Sequence, residues 1–229
     1  MMKKGRVFFS AVATLVILGV GSLAESKHSV GLATKTESLL DPGVPSELKI
    51  AQGQNQCPRG PSVAPAKETR KIREEKLGFS FDIPTNYQTE KSQDDTLRII
   101  LHNPADTKLL ECCRKLRQIG CGHQTLPMVL IVQPATPETR LIPEIYQNMR
   151  LENIRETIIA KQKAFVYIKK SSMTGKTDAA NVETTLSANF FTPDKQNLVT
   201  ISTFNYGDKI SAVEEKVFNT VISSFAFVR

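Results

Sequence analysis

The stretch Phe79-Ser80-Phe81-Asp82-Ile83-Pro84 indicates the class of the fold and is the predicted start of the folded part of this chain. Apolar and polar side chains alternate along it and a proline ends it, which is the pattern of a half-buried β-strand. Residues 25–78, which precede it, contain no Phe, Tyr or Trp. This change in composition predicts a domain boundary at residue 79 and a folded domain over residues 79–229.

Further β-strands are predicted where short apolar or alternating runs lie between turn residues. They cover residues 96–101, 128–132, 164–168, 182–191 and 198–204. The last two flank the sequence Thr-Pro-Asp-Lys-Gln-Asn at residues 192–197, which is typical of a hairpin turn.

Two helices complete the prediction. Pro143 suits a first helical turn, and apolar residues recur from there to Ile159 mainly at three- and four-residue spacings. The second helix begins at a capping box formed by Ser211 and Glu214 and continues as an apolar stripe to Phe225. Because each stripe needs a sheet face to cover it, we expect an α+β domain: an antiparallel sheet of about six strands flanked by helices.

Two stretches resemble a known group of domains. Residues 78–87, Gly-Phe-Ser-Phe-Asp-Ile-Pro-Thr-Asn-Tyr, resemble the opening strand and turn of PsbP-like domains, a group that includes the Ran-binding Mog protein and DcrB-type periplasmic proteins. The ending VFNTVISSFAF at residues 217–227 is similar to the close of those domains. The resemblance covers residues 79–229. It implies an α/β/α sandwich and a mostly non-enzymatic binding or assembly role, and the chain departs from it in a cysteine-containing insertion at 105–126.

The N-terminus has the pattern of a secretory signal peptide. Lys3, Lys4 and Arg6 precede an apolar run, and small residues end it at Ala24. We expect residues 1–24 to be removed, since the run contains polar and small residues; the alternative is an uncleaved anchor that tethers the protein to a membrane. Residues 25–78 follow, rich in proline and polar residues, and are expected to form a disordered tether. Within it, residues 67–76 are charged enough for a short exposed helix.

Four cysteines follow the predicted export signal: Cys57, Cys112, Cys113 and Cys121. An oxidising compartment favours disulfides. Adjacent cysteines are poorly placed to bond each other, so Cys121 is expected to pair with one of Cys112 and Cys113. Cys57 would then take the other and hold the tether on the domain.

The alternative for the cysteines is a zinc site or a thiol enzyme that uses Cys112, Cys113, Cys121 and His123. Zinc ligands usually come as C-x(2–4)-C pairs and redox thiols as C-x-x-C, and neither spacing is present. The sequence therefore predicts no metal, no cofactor and no catalytic residue.

Other chemical motifs have ordinary structural interpretations. Gly175-Lys176-Thr177 ends like a phosphate-binding loop, but Lys170 stands where that pattern requires glycine, so we interpret it as a hairpin turn. His102 is interpreted as an exposed residue at a strand end. The acidic pairs Asp94-Asp95 and Glu214-Glu215 are assigned to a strand connection and to a helix's first turn, where negative charge is favourable.

Composition excludes several classes of protein. A chain that is 40% hydrophobic and 23% charged is not a polytopic membrane protein. Basic and acidic residues nearly balance over residues 79–229, whereas nucleic-acid binders carry a strong positive bias. The function expected is a non-catalytic module, exported to a periplasm, a thylakoid lumen or the cell exterior, that binds or assembles a protein partner at or near a membrane. The alternatives are a thiol- or metal-dependent enzyme and a small-ligand binding domain.

Overall fold

The computed structural model describes residues 57–146, 148–172 and 182–228, apart from the side chains of Cys121 and His123. The predicted signal segment 1–24, the part of the predicted tether before Cys57, and the Gly175–Thr177 motif lie outside the described residues. In the described part, no helix is long and apolar enough to cross a membrane.

The described residues form ten β-strands, two α-helices and one short 3-10 helix. The strands are β1 (Thr69–Glu74), β2 (Phe79–Pro84), β3 (Gln88–Gln93), β4 (Leu97–His102), β5 (Met128–Pro134), β6 (Met149–Ile159), β7 (Gln162–Ser172), β8 (Val182–Phe191), β9 (Asn197–Tyr206) and β10 (Ala226–Phe227). The helices are α1 (Pro104–Leu116) and α2 (Ala212–Ser224), and the 3-10 helix is Cys121–Gln124. This is the α+β class that the sequence predicts.

The strands form two antiparallel sheets. The smaller has the order β1-β2-β10, and the larger has seven strands in the order β3-β4-β5-β9-β8-β7-β6. The predicted hairpin at residues 192–197 is confirmed, since β8 and β9 pair antiparallel on either side of it. Sheet content is higher than predicted, because the sequence patterns did not predict strands β1, β3, β6 and β10.

The hydrophobic core lies between the inner face of the seven-stranded sheet and a layer made by β2 and α2. Its fully buried side chains include Phe79, Phe81, Ile83, Leu130, Val199, Ile201, Val217, Phe218 and Val221. Helix α2 begins as predicted: the Ser211 hydroxyl accepts a hydrogen bond from the Glu214 backbone N–H at 3.3 Å. Its apolar stripe packs against β2 and β9.

The predicted helix at residues 143–159 is wrong. Residues 143–146 form no regular element, and Met149–Ile159 is strand β6, which pairs antiparallel with β7. The apolar spacing suggested a buried helical stripe, but Ile154 and Ile158 are exposed and form no such stripe. The run Ile-Arg-Glu-Thr-Ile-Ile ending at Ile159 is rich in β-branched residues, and pairing with a neighbouring strand decided the conformation.

The tether prediction is wrong for residues 57–78, and the domain starts before residue 79. Residues 69–74 lie within the segment 67–76 that was considered as a short exposed helix, and they form β1 along the whole of β2. This strand is polar and mostly exposed, and Ile72 is its one apolar side chain, partly buried against the core. Backbone pairing with β2 therefore orders this segment, although its composition alone does not predict an ordered strand.

The predicted insertion at residues 105–126 contains α1 and the 3-10 helix. Asn103 caps α1, accepting a hydrogen bond from the Ala105 N–H at 3.0 Å, and Pro104 occupies the first turn. The interpretation of His102 as exposed is wrong: it is the last residue of β4 and is buried, with Nε2 3.5 Å from a Glu90 carboxylate oxygen.

Candidate binding site

A disulfide joins Cys57 to Cys112 on α1, with the two Cα atoms 5.8 Å apart. This agrees with the expectation that Cys57 pairs with one of the adjacent cysteines. Cys113 is also disulfide-bonded, and the Cys121 and His123 side chains lie outside those described. A disulfide sulfur is not a thiolate, so in this state Cys112 and Cys113 supply neither a nucleophile nor a zinc ligand.

The described residues contain no cluster of His, Cys, Asp and Glu side chains suited to hold a metal ion. The acidic pairs are separated in the fold. Asp94 and Asp95 are exposed in the connection between β3 and β4, and Glu214 is buried at the start of α2. Neutral polar groups and exposed strands remain as candidates for a binding surface.

The segment after the disulfide is held across the fold by buried polar groups. Arg59 Nε donates to Asp106 Oδ1 at 2.5 Å, and Asp106 is fully buried. The Ser62 hydroxyl donates to a Glu214 carboxylate oxygen at 2.8 Å, and the Val63 N–H donates to Asn103 Oδ1 at 2.9 Å. The first two contacts give one oxygen of each buried carboxylate a hydrogen bond, which lowers the cost of burying Asp106 and Glu214.

Tyr87 lies beside this network and is buried. Its hydroxyl accepts a hydrogen bond from Asn103 Nδ2 at 2.8 Å. Burial raises the pKa of Tyr87 to about 12; the Asn103 hydrogen bond opposes the shift, and the nearby Glu214 and Asp106 carboxylates add to it. The phenol is therefore kept neutral by removal from water.

Alkaline pH should destabilise the fold through Tyr87. A pKa raised to about 12 means that the folded protein holds this proton more tightly than the unfolded chain does. The stabilisation is complete below about pH 10, where an unfolded tyrosine ionises, and is lost as pH rises toward 12, by on the order of 2 kcal/mol. Urea denaturation across this range should show the loss.

Two phenylalanine substitutions test this assignment. Tyr87→Phe should abolish the loss of stability at alkaline pH. Tyr146→Phe, at a tyrosine that is 65% exposed, should show the same loss as the unmodified chain. If the free energy of unfolding of the Tyr87→Phe protein falls with pH as steeply as that of the unmodified chain, another group is responsible.

A polar cleft of about 400 Å³ lies on the outer face of the seven-stranded sheet, opposite the core. Its floor is formed by alternate residues of β7, β8 and β9, which share one face because side chains alternate along a strand. The floor residues are Tyr167, Lys169, Thr185, Ser187, Thr200 and Ser202. Strand register aligns Tyr167 with Ser187 and Ser187 with Ser202, so three hydroxyls cross three strands in one row, at a strand spacing of about 4.8 Å.

The connection between β5 and β6 forms the wall of this cleft. It contributes apolar side chains and charges of both signs: Ile142, Pro143, Tyr146, Glu138, Glu144 and Arg140. Asn189 fastens the connection to the sheet, because its Nδ2 donates to the Leu141 carbonyl at 2.8 Å and to the Tyr167 hydroxyl at 3.0 Å. Burial raises the pKa of Tyr167, against the opposing hydrogen bonds from Ser187 and Asn189, so its hydroxyl stays protonated.

A larger depression of about 700 Å³ lies elsewhere, beside β10. Turns supply much of its lining, including Gly78, Lys161 and Asp194, and both of the last two are exposed. The Asp194 carboxylate already accepts hydrogen bonds from Thr192 and from the Gln196 N–H. The outer-face cleft, built on strands and lined with hydroxyls, is the better-defined site.

The two edges of the seven-stranded sheet differ in character. Edge strand β3 reads Gln-Thr-Glu-Lys-Ser-Gln, and all six residues are exposed. Edge strand β6 carries Ile154 and Ile158, which are 46% and 66% exposed. Ile145 and Tyr146, just before β6, are also exposed. We call these four side chains together with β6 the apolar edge.

Sequence reasoning missed both surfaces. The basic residues Arg114, Lys115 and Arg117 are exposed at the end of α1, whereas Lys169 lies in the cleft. The sequence contains one signal for the cleft. In Glu183–Asn189 and in Thr200–Ser202 every second residue is polar, which is the pattern of strands with one face on the core and one face toward solvent.

Comparisons with known proteins do not assign this chain to a family. No protein-family model matches the chain, and a search of curated proteins finds no match. The disulfide, the cleft and the two unequal sheet edges are the structural features from which a function can be inferred.

Proposed function

We propose that this chain is an exported, non-catalytic module that binds a protein partner along strand β6, in a periplasm or thylakoid lumen. The signal-peptide pattern supports export. The Cys57–Cys112 disulfide is compatible with it, since disulfides persist in oxidising compartments. A PsbP-like α/β/α arrangement is part of the proposal, in which α2, packed on the inner side of the sheet, would supply one of the helical layers.

The observation that carries the proposal is the contrast between the two sheet edges. A free edge exposes unpaired backbone N–H and C=O groups, and proteins usually protect such edges with polar or charged side chains. Strand β3 has polar side chains only, whereas β6 combines charged residues such as Arg155 and Glu156 with two exposed isoleucines, Ile154 and Ile158. The exposed isoleucines make β6 the better suited of the two edges to accept a further strand.

The partner expected is an extended segment of another protein that adds to the sheet. The register of β6 shifts between Glu152 and Arg155, and Asn153 has a positive φ of 53°. This bulge interrupts regular pairing, so the added strand should run along the regular half, Arg155–Ile159. Backbone hydrogen bonds would supply affinity, and an apolar residue packed on Ile158 would supply specificity.

The test is a quantitative pull-down from the exported fraction of the native cell, with Ile158→Lys compared against the unmodified chain. Lysine should be tolerated in the fold, since this position is 66% exposed, and should reduce partner recovery by about tenfold if Ile158 is a central contact. Ser92→Lys, on exposed β3, is the matched control and should leave recovery unchanged.

Hydrogen exchange of the captured complex locates the contact. Backbone amides of Arg155–Ile159 should become protected, whereas those of β3 should not. Equal recovery by Ile158→Lys, protection confined to β3, or no partner recovered by the unmodified chain would each contradict the proposal. Recovery of the chain's own second copy would identify the partner as self-association through the same edge.

A further inference from the structure

We infer that the outer-face cleft binds a neutral carbohydrate of one or two sugar units. This inference does not rest on partner docking, which is proposed at Arg155–Ile159, although Tyr146 and Met149 belong both to the apolar edge and to the cleft lining. Its basis is a concave site of about 400 Å³, within the size range of small-molecule sites, with a rigid floor made of strand residues. The chemistry of the lining decides which class of ligand fits.

The floor offers hydrogen-bonding capacity that the protein does not use. Thr200 and Ser202 hydroxyls make no side-chain hydrogen bond to another residue in the described part of the chain, and both line the cleft. Each hydroxyl can donate one hydrogen bond and accept others. A ligand that both donates and accepts at closely spaced atoms would match these groups.

Acceptors on the wall of the cleft favour a ligand with O–H or N–H donors. The Glu138 and Glu144 carboxylates accept hydrogen bonds and donate none. A carboxylate ligand supplies acceptors only, and a phosphate ion supplies mainly acceptors, so neither matches these two groups. The hydroxyls of a neutral ligand can donate to them.

The charges of the lining balance. Arg140 and Lys169 oppose Glu138 and Glu144, so the cleft has no net formal charge to select an anion or a cation. Ile142, Pro143, Met149 and the Tyr146 ring add apolar surface to the lining. A sugar combines hydroxyls that donate and accept with an apolar C–H face and no charge, and so fits each part of this lining.

The experiment follows the backbone amide NMR signals of Thr200 and Ser202 during titration with maltose, cellobiose, N,N′-diacetylchitobiose and inorganic phosphate. We expect at least one of the disaccharides to shift both signals in a saturable way, and phosphate to leave them in place. The combined variant Thr200→Val with Ser202→Ala removes two hydroxyls with little change in volume. It should weaken binding by about tenfold, the effect of losing one to two hydrogen bonds.

Thr89→Val on exposed β3 is the control for a hydroxyl lost elsewhere, and should bind as the unmodified chain does. Ile158→Lys should also retain sugar binding, which separates this inference from docking on the apolar edge. No response to any of the disaccharides, shifts caused by phosphate instead, or equal binding by the combined variant would overturn the inference. Circular dichroism of each variant establishes that it is folded.

Discussion

Replacing Phe225 with alanine is expected to lower the free energy of unfolding by about 3–5 kcal/mol, the usual cost of removing a buried aromatic ring. Phe225 directly follows α2 and is 4% exposed. Its ring centroid lies 5.2 Å from that of Phe79 and 6.2 Å from that of Phe81, both on β2. It also meets Phe190 of β8 at 5.1 Å and Phe227 of β10 at 5.4 Å, edge to face.

This ring therefore joins the small sheet, the large sheet and the end of α2, so the cavity left by alanine would loosen all three. Chemical denaturation followed by circular dichroism measures the change. Val228→Ala, three residues later and 56% exposed, is the control and should stay within about 0.5 kcal/mol of the unmodified chain. A Phe225→Ala protein as stable as this control would mean that the aromatic cluster does not hold the layers together.

The double variant Cys57→Ser with Cys112→Ser should lose about 4 kcal/mol of stability. The disulfide closes a loop of 55 residues, and a cross-link of that length removes considerable entropy from the unfolded chain. Replacing both residues avoids a free thiol that could form other bonds. Substitution is preferable to a reducing agent, because Cys113 is also disulfide-bonded and would be reduced at the same time.

The segment that carries Arg59 and Ser62 should be the first to lose its order in this variant. Hydrogen exchange should therefore increase at Val63, whose N–H donates to Asn103 Oδ1. Val63→Ala, in the same segment but 38% exposed, is the control and should leave the unfolding midpoint nearly unchanged. A double variant with the midpoint of the unmodified chain would show that the buried polar contacts alone hold the segment.

Elements with a complete local signal were predictable. Residues 79–84 alternate and end at proline, and they form β2. Helix α2 has its capping serine at Ser211, and the apolar run Met128–Val132 lies within central strand β5. In each case the local preference agrees with the environment in the fold, so the element can be predicted without knowledge of distant residues.

Elements that depend on a distant partner were not predictable in this way. Strand β1 has almost no apolar side chains and is ordered by backbone pairing with β2. Strand β6 has apolar spacings that also fit a helix, and pairing with β7 determines its form. The cleft depends on register, since one residue of slip in β8 would turn Thr185 and Ser187 toward the core.

The amino-acid sequence by itself determined the α+β class, the positions of the strands that face the core, and the start of the last helix, because alternation, proline stops and capping act between neighbouring residues. Only the tertiary structure decided that residues 57–78 belong to the fold, that residues 149–159 form an edge strand, and that hydroxyls from three strands meet in one cleft. Those outcomes depend on contacts between residues far apart in the chain, whose free energy exceeds the weak local preference of each segment.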